Sequence, residues 1–287
     1  MSEIVRSRLG MCIISFAALL VCLGYVLLGL GYAVLSLSAS PTSNHLIIAG
    51  CWFEFAGGCA AALTLFAVAW ALYRRRQWSE CVVLTAAAAS TSVMTVGFLV
   101  VAQAAPNTSA AGNIVVAVGL GGWFLLTVAQ AGIRPTGDGS ETTSVSRMAL
   151  WLLSGAGVLA IAVGLGLPTA ALGQATLAIT SGVITAVGFA VLAITVTIGK
   201  VKGLLATRQF PVLVGGLWIL AIAFVAQAVA GEVALGPPPY SLGSIRIGAS
   251  LPLFITAAGL LVLALAGVGQ AMNLSTRNKT APAVQAA

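Results

Sequence analysis

The stretch LIIAGCWFEFAGGCAAALTLFAVAWALYRRR, residues 46–76, is dominated by apolar and small side chains from Leu46 to Tyr73. Its one carboxyl is Glu54, and it stops at three arginines, Arg74–Arg76. A helix needs about 20 apolar residues to cross roughly 30 Å of hydrocarbon. This run satisfies that length and is apolar on every face, so it reads as a membrane-spanning helix. Strands of an outer-membrane barrel need short segments of apolar and polar alternation instead.

Seven more runs of the same kind flank it: Met11–Leu37, Cys81–Ala105, Gly112–Ile133, Met148–Leu167, Gly173–Ile198, Phe210–Leu235 and Gly248–Met272. The first is too long for the core of a signal peptide and reads as an uncleaved span. Segments 38–45, 106–111, 167–172 and 235–246 carry the Pro, Asn, Ser and Gly of turns. Residues 134–147 have the composition of a flexible cytoplasmic linker, and 273–287 that of a disordered tail. The expected fold is therefore all-α and polytopic, with eight transmembrane helices.

Charge orients the array, because Lys and Arg near span ends stay on the cytoplasmic side. Arg6, Arg8, Arg74–Arg76, Arg134, Arg147, Lys200, Lys202, Arg208, Arg277 and Lys279 all fall in the odd-numbered extramembrane pieces; only Arg246 falls in an even one. A miscounted span would scramble that alternation. Both termini are expected in the cytoplasm, in a membrane such as the bacterial inner membrane, with the anionic cytoplasmic leaflet as partner of the positive charge.

Composition agrees. Of 287 residues 60% are apolar and 7% charged, against about a quarter charged in a soluble domain. The net charge of +7 does not mark a nucleic-acid surface, because the basic residues sit in small groups between apolar runs. The cysteines, Cys12, Cys22, Cys51, Cys59 and Cys81, form no CxxC pair and have only His45 for company, so they read as small buried hydrophobes. No cofactor or metal is expected. No phosphate-binding loop is present, and one histidine offers neither haem ligation nor a catalytic pair, which argues against an enzyme.

The chain divides into two parallel four-helix halves, 1–133 and 148–272, joined by 134–147. SRLGMCIIS (7–15) matches SRMALWLLS (146–154), SPT (40–42) matches LPT (167–169), VAQA (101–104) recurs at 225–228, and VAQA (128–131) echoes VGQA (268–271). The offsets, 139, 127, 124 and 140, are unequal. Shared Ala, Val and Gly-rich composition is the competing explanation.

Polar side chains at membrane depth are expensive and are candidate functional positions. Glu54 leads, as the acidic residue farthest from the ends of its span; Glu232 is three residues from the end of the seventh run. Counted from Leu46 it sits near the midplane; counted back from Arg74 it sits at the outer boundary beside Trp52. Gln103, Gln227, Asn113 and His45 lie toward the outside, with Gln174; Gln130 and Gln270 lie toward the cytoplasm. Gln103 and Gln227 are the repeat-related pair. Gln and Asn also bond across helices without further function.

Two function classes fit. One is a transporter or channel whose path is lined by Glu54, Gln103, Gln227, Gln130, Asn113 and hydroxyls such as Thr64, Thr91 and Thr180; it predicts a polar cavity between the halves. The other is a non-catalytic scaffold held by small-residue packing to a protein partner in the membrane. It predicts a filled interior and an apolar groove near Gly119–Gly122.

Overall fold

Each apolar run becomes a helix, and several of the helices are longer than the hydrocarbon requires. The computed structural model describes residues 8–37, 41–105, 110–132, 141–167, 175–202, 209–235 and 250–269. Its helices are α1 (Arg8–Leu37), α2 (Pro41–Arg74), α3 (Trp78–Ala104), α4 (Ala110–Gly132), α5 (Glu141–Gly166), α6 (Ala175–Val201), α7 (Phe210–Leu235) and α8 (Ser250–Gly269). All eight contain a stretch long and apolar enough to cross a bilayer. The protein is an all-α, multi-pass membrane protein.

Five helices begin earlier than hydropathy alone indicates, among them α1 at Arg8 rather than Met11 and α4 at Ala110 rather than Gly112. α2 starts at Pro41 rather than Leu46, so the polar residues Thr42–His45 are its first turns. Proline is well suited to that position, since its fixed φ is helical and its missing N–H is not needed there. α3 starts at Trp78 rather than Cys81. α5 starts at Glu141, so the second half of the expected linker 134–147 is helical; between Gly139 and Gly155 the sequence holds no Gly or Pro that would stop it. Residues 133–140 and the tail lie outside the described residues.

Among α1–α7, extensive packing joins only sequence neighbours. α8 fits between the two ends of this series. Leu263 and Gly259 of α8 meet Gly216 and Leu220 of α7, while Phe254 meets Gly29 of α1 and the Cys22 thiol donates to the carbonyl of Ala257 at 3.2 Å. The eight helices thus form a closed ring. Each turns one stripe outward, for example Phe16, Leu19, Leu23 and Leu30 on α1, or Ile114, Val118 and Leu125 on α4. Those stripes face lipid.

Close backbone approach makes the seams, and the seams repeat. A Cβ on Gly24 of α1 would lie 2.8 Å from the carbonyl of Gly50 and 2.9 Å from Cγ of Glu54. A Cβ on Gly164 of α5 would meet the carbonyl of Ser181 at 2.9 Å and the side chain of Thr185. Gly57 meets Ala17 and Val21; Gly188 meets Gly157 and Ile161. The α1–α2 and α5–α6 seams therefore correspond residue by residue, with offsets of 140 and 131. Thr64 and Thr195, also 131 apart, are both buried and both donate to the carbonyl four residues back.

The other seams follow suit. Gly119 meets Ser90 and Met94 as Gly259 meets Gly216 and Leu220. Gly58 packs on Phe98, and its counterpart Phe189 stacks on Phe224 with centroids 5.6 Å apart. Gly155 of α5 faces the Thr127 hydroxyl of α4; Gly267 of α8 faces the Ser15 hydroxyl of α1. In these the α3–α7 offset is 126 and the α4–α8 offset 140.

Candidate functional site

Glu54 lies on the line Ser43, Ile47, Gly50, Glu54, Gly57, the face of α2 that packs on α1. Its two neighbours in sequence, Phe53 and Phe55, are half-buried, and Trp52 and Ala56 point outward. A helix turns about 100° per residue, so Glu54 points away from the exposed stripe through Trp52 and Ala56. It is 6% exposed. Among the described residues its carboxyl makes no hydrogen bond or ion pair.

The depth of this carboxyl follows from α2. Glu54 is 13 residues from Pro41 and 20 from Arg74, or about 20 Å and 30 Å at 1.5 Å per residue. On α1 its contact, Gly24, is 16 residues from Arg8 and 13 from Leu37. It therefore sits inside the ring's span, closer to the end opposite the arginines, and is packed between helices rather than set on the surface.

Three polar groups share its surroundings. Tyr25 and Tyr32 of α1, and the Cys51 thiol one turn away on α2, lie within electrostatic reach of Glu54. Tyr32, Val101 and Leu253 pack against Leu28, Ile47, Cys51 and Ala102, a cluster drawn from α1, α2, α3 and α8. Since α3 and α8 flank the α1–α2 pair on opposite sides, that cluster is on the inner side of the ring. It covers Glu54 from the end opposite the arginines.

A second apolar cluster lies toward the arginine end. It comprises Leu65, Ala69, Leu72, Leu84, Ala87 and Ala88, with Ile14, Trp123 and Leu126 against them. Between the two clusters run the buried hydroxyls of Thr91 and Thr95 with Glu54 itself. Thr91 donates to Ala87 O, Thr95 to Thr91 O, and the Trp123 indole donates to Thr91 Oγ1 at 3.3 Å. The first four helices thus enclose a polar layer between two apolar ones.

The remaining sequence candidates disperse. Gln103 is exposed on the outer stripe of α3, one helical line with Val82, Val93 and Val96. Gln227 is half-buried on the line of Gly216 and Leu220 that faces α8. Asn113 is half-buried on the line of Ala117 and Phe124 that faces α5, and Gln130 is half-buried on the α3-facing line at the arginine end. No two of these five side chains point into the same seam. Thr64 is buried on the Glu54 side of α2, Thr180 is exposed on the outer stripe of α6, and His45 is exposed. Gln174 and Gln270 lie outside the described residues.

The packing register also separates Gln103 from Gln227. The VAQA match pairs them at an offset of 124, but the seams pair Phe98 with Phe224 and Ala102 with Ala228, an offset of 126. Two residues are about 200° on a helix, so the two glutamines occupy opposite sides of equivalent helices. The structural counterpart of Gln103 is Val229, which is also exposed.

Tyr25, Tyr32 and Gly24 carry no signal of the kind that marks Glu54, because the apolar part of their helix after Arg8 holds no charged residue. The available signal was spacing: Ala17, Gly24 and Gly31 on α1, and Ser43, Gly50, Gly57 and Thr64 on α2, place small residues seven apart. Gly119 and Gly122, expected beside an apolar groove, are occupied by Ser90 and Met94 of α3; only Gly121 between them faces open space. Among the described residues no three His, Cys, Asp or Glu side chains gather as a metal site. The described cysteines Cys22, Cys51, Cys59 and Cys81 are free thiols.

Comparison with protein-family models, with curated proteins and with solved structures finds no match for this chain.

Proposed function

We propose that this chain is a proton-coupled transporter of a small solute, with Glu54 as its proton site. In this reading it consists of two parallel four-helix units, 1–133 and 148–272. Both termini and Arg74–Arg76 face the cytoplasm of a bacterial inner membrane, and it carries out no bond-making chemistry.

The carrying observation is the pairing of Glu54 with Thr185. The two hold the same place in seams of the same construction, yet Thr185 is satisfied by donating to Ser181 O at 2.8 Å while Glu54 has no such partner. Packing can therefore be met without an acid. An ionisable group at the centre of a span costs on the order of 3 kcal/mol, and function is the reason to retain one. The apolar clusters on either side supply what alternation requires: a barrier toward each face, of which one at a time opens. Gln227 and Asn113 belong to other seams, Gln130 faces α3 and Gln103 points outward, so of the five Glu54 alone carries this reading.

The test is proton movement in vesicles reconstituted with the purified chain and loaded with a pH-sensitive dye. Gradients of cationic, anionic, zwitterionic and neutral solutes are imposed in turn. At least one should drive a pH change absent from empty vesicles and from Glu54→Gln vesicles. A response unchanged by Glu54→Gln, or none to any solute, overturns the proposal. The competing reading, a scaffold subunit, predicts that silence.

A further inference from the structure

We infer that the Glu54 site takes a monovalent organic cation with aromatic or alkyl bulk, bound in exchange for one proton. This rests on the transport reading and names the substrate class for the same site.

Charge comes first. At the depth of Glu54 the described helices offer one carboxyl and no Lys, Arg or His; the described basic residues lie at helix ends, as with Arg74, Arg147 and Lys200. An anion would meet only repulsion there, and a buried charge is tolerated when paired. One carboxyl compensates one positive charge.

The walls then select the kind of cation. A hard inorganic ion must exchange its water shell for several oxygen ligands. The hydroxyls near this layer, Thr64, Thr91 and Thr95, are turned to carbonyls of their own helices, and no ligand cluster forms among the described residues. One turn from the carboxyl, Cys51 packs with Leu28, Ile47 and the ring of Tyr32, and Tyr25 follows Gly24, the residue on which Glu54 packs. Aromatic faces attract weakly hydrated cations, and the aliphatic groups cover their apolar parts.

The exchange balances without another reactant. The O–H bond of protonated Glu54 breaks, the proton leaves to the open face, and the carboxylate pairs with the incoming cation. Departure of the cation on the opposite face lets a proton from that side re-form the O–H bond. Each cycle carries one positive charge each way and is electroneutral. The titratable groups facing Glu54 are Tyr25 and Tyr32 of α1 and Cys51 of its own helix; α8 has none, and Glu80 and Cys81 of α3 lie at the opposite end.

Calorimetric titration of the purified full-length chain with tetraphenylphosphonium tests this, in two buffers of different ionisation heat so that released protons are counted. Binding should release one proton per cation, weaken as pH falls, and weaken at least about tenfold in Glu54→Gln. Glu54→Thr, which copies the second seam, should remain folded by gel filtration and show the same loss. Tyr25→Leu should weaken binding while Tyr25→Phe retains it. Failure of tetraphenylphosphonium to bind, equal binding by folded Glu54→Thr, or proton release by sodium alone overturns the cation class. If an anionic or neutral solute then still drives Glu54-dependent proton movement in vesicles, the transport reading stands; if no solute does, both fall.

Discussion

Glu54 and Thr185 are counterparts: each backs onto a glycine of the preceding helix, Gly24 in the first case and Gly164 in the second. Glu54→Thr should therefore fold as well as the parent, with a melting temperature in detergent equal to or above it. Removing a buried ionisable group without a partner is worth on the order of 1–3 kcal/mol. A fall of several degrees, with aggregation on gel filtration, would show that the acid is needed for packing.

The same seam predicts where bulk is forbidden. Gly24→Leu drives a side chain into the Gly50 carbonyl and the Glu54 stem, so α1 and α2 must part, at a cost of about 3 kcal/mol or more. Gly121→Ala and Gly215→Ala add a methyl where nothing lies within 4 Å. Those two should be neutral or stabilising by up to about 1 kcal/mol, the helix preference of Ala over Gly. Thermal unfolding of the three variants side by side checks the ordering.

Ser15 presents a smaller case. Its Oγ is buried without a hydrogen-bond partner and faces Gly267 across the α1–α8 seam. Ser15→Ala removes an unsatisfied group and should raise stability by about 1 kcal/mol. A loss of that size would reveal a partner for the hydroxyl.

At the turn between α2 and α3, Arg76 has a φ of 59°, in the left-handed region that suits glycine. The chain reverses there by hydrogen bonds from Arg76 N to Tyr73 O and Gln77 N to Leu72 O. Arg76→Gly relieves roughly 1 kcal/mol of backbone strain, so it should raise the melting temperature, whereas Arg76→Val should lower it. Arg74 lies over the Trp70 ring at 5.6 Å and should matter more for orientation than for stability.

Orientation has its own test. Single cysteines at Arg75 and Lys202, introduced in a variant lacking the native thiols, should both resist an impermeant maleimide in intact cells and react after permeabilisation. Labelling of one alone from outside would break the proposed topology.

The helices were legible in the sequence because hydrocarbon demands long apolar runs. Their first turns were not, since hydropathy marks the oil and not the end of the hydrogen-bond ladder; Pro41 and Glu141 begin helices in polar surroundings. Glu54 stands out as the acid farthest from the ends of its run, but its depth depends on which end is counted from until contact with Gly24 fixes it. Gln103 and Gln227 were paired by four letters, and short matches in Ala and Val-rich helices carry no register. Register is held by glycines meeting backbone, and that is visible only when two helices are seen together.

Because α8 lies against α1, the order of the helices has no privileged starting point. A chain opened between Gly132 and Glu141, its original ends tied by a flexible tether, would lay down α5 to α8 and then α1 to α4 and still find every neighbour. Synthesis from either half would give the same circle, so the chain can be cut and rejoined at that place without asking any helix to face the lipid with a different side.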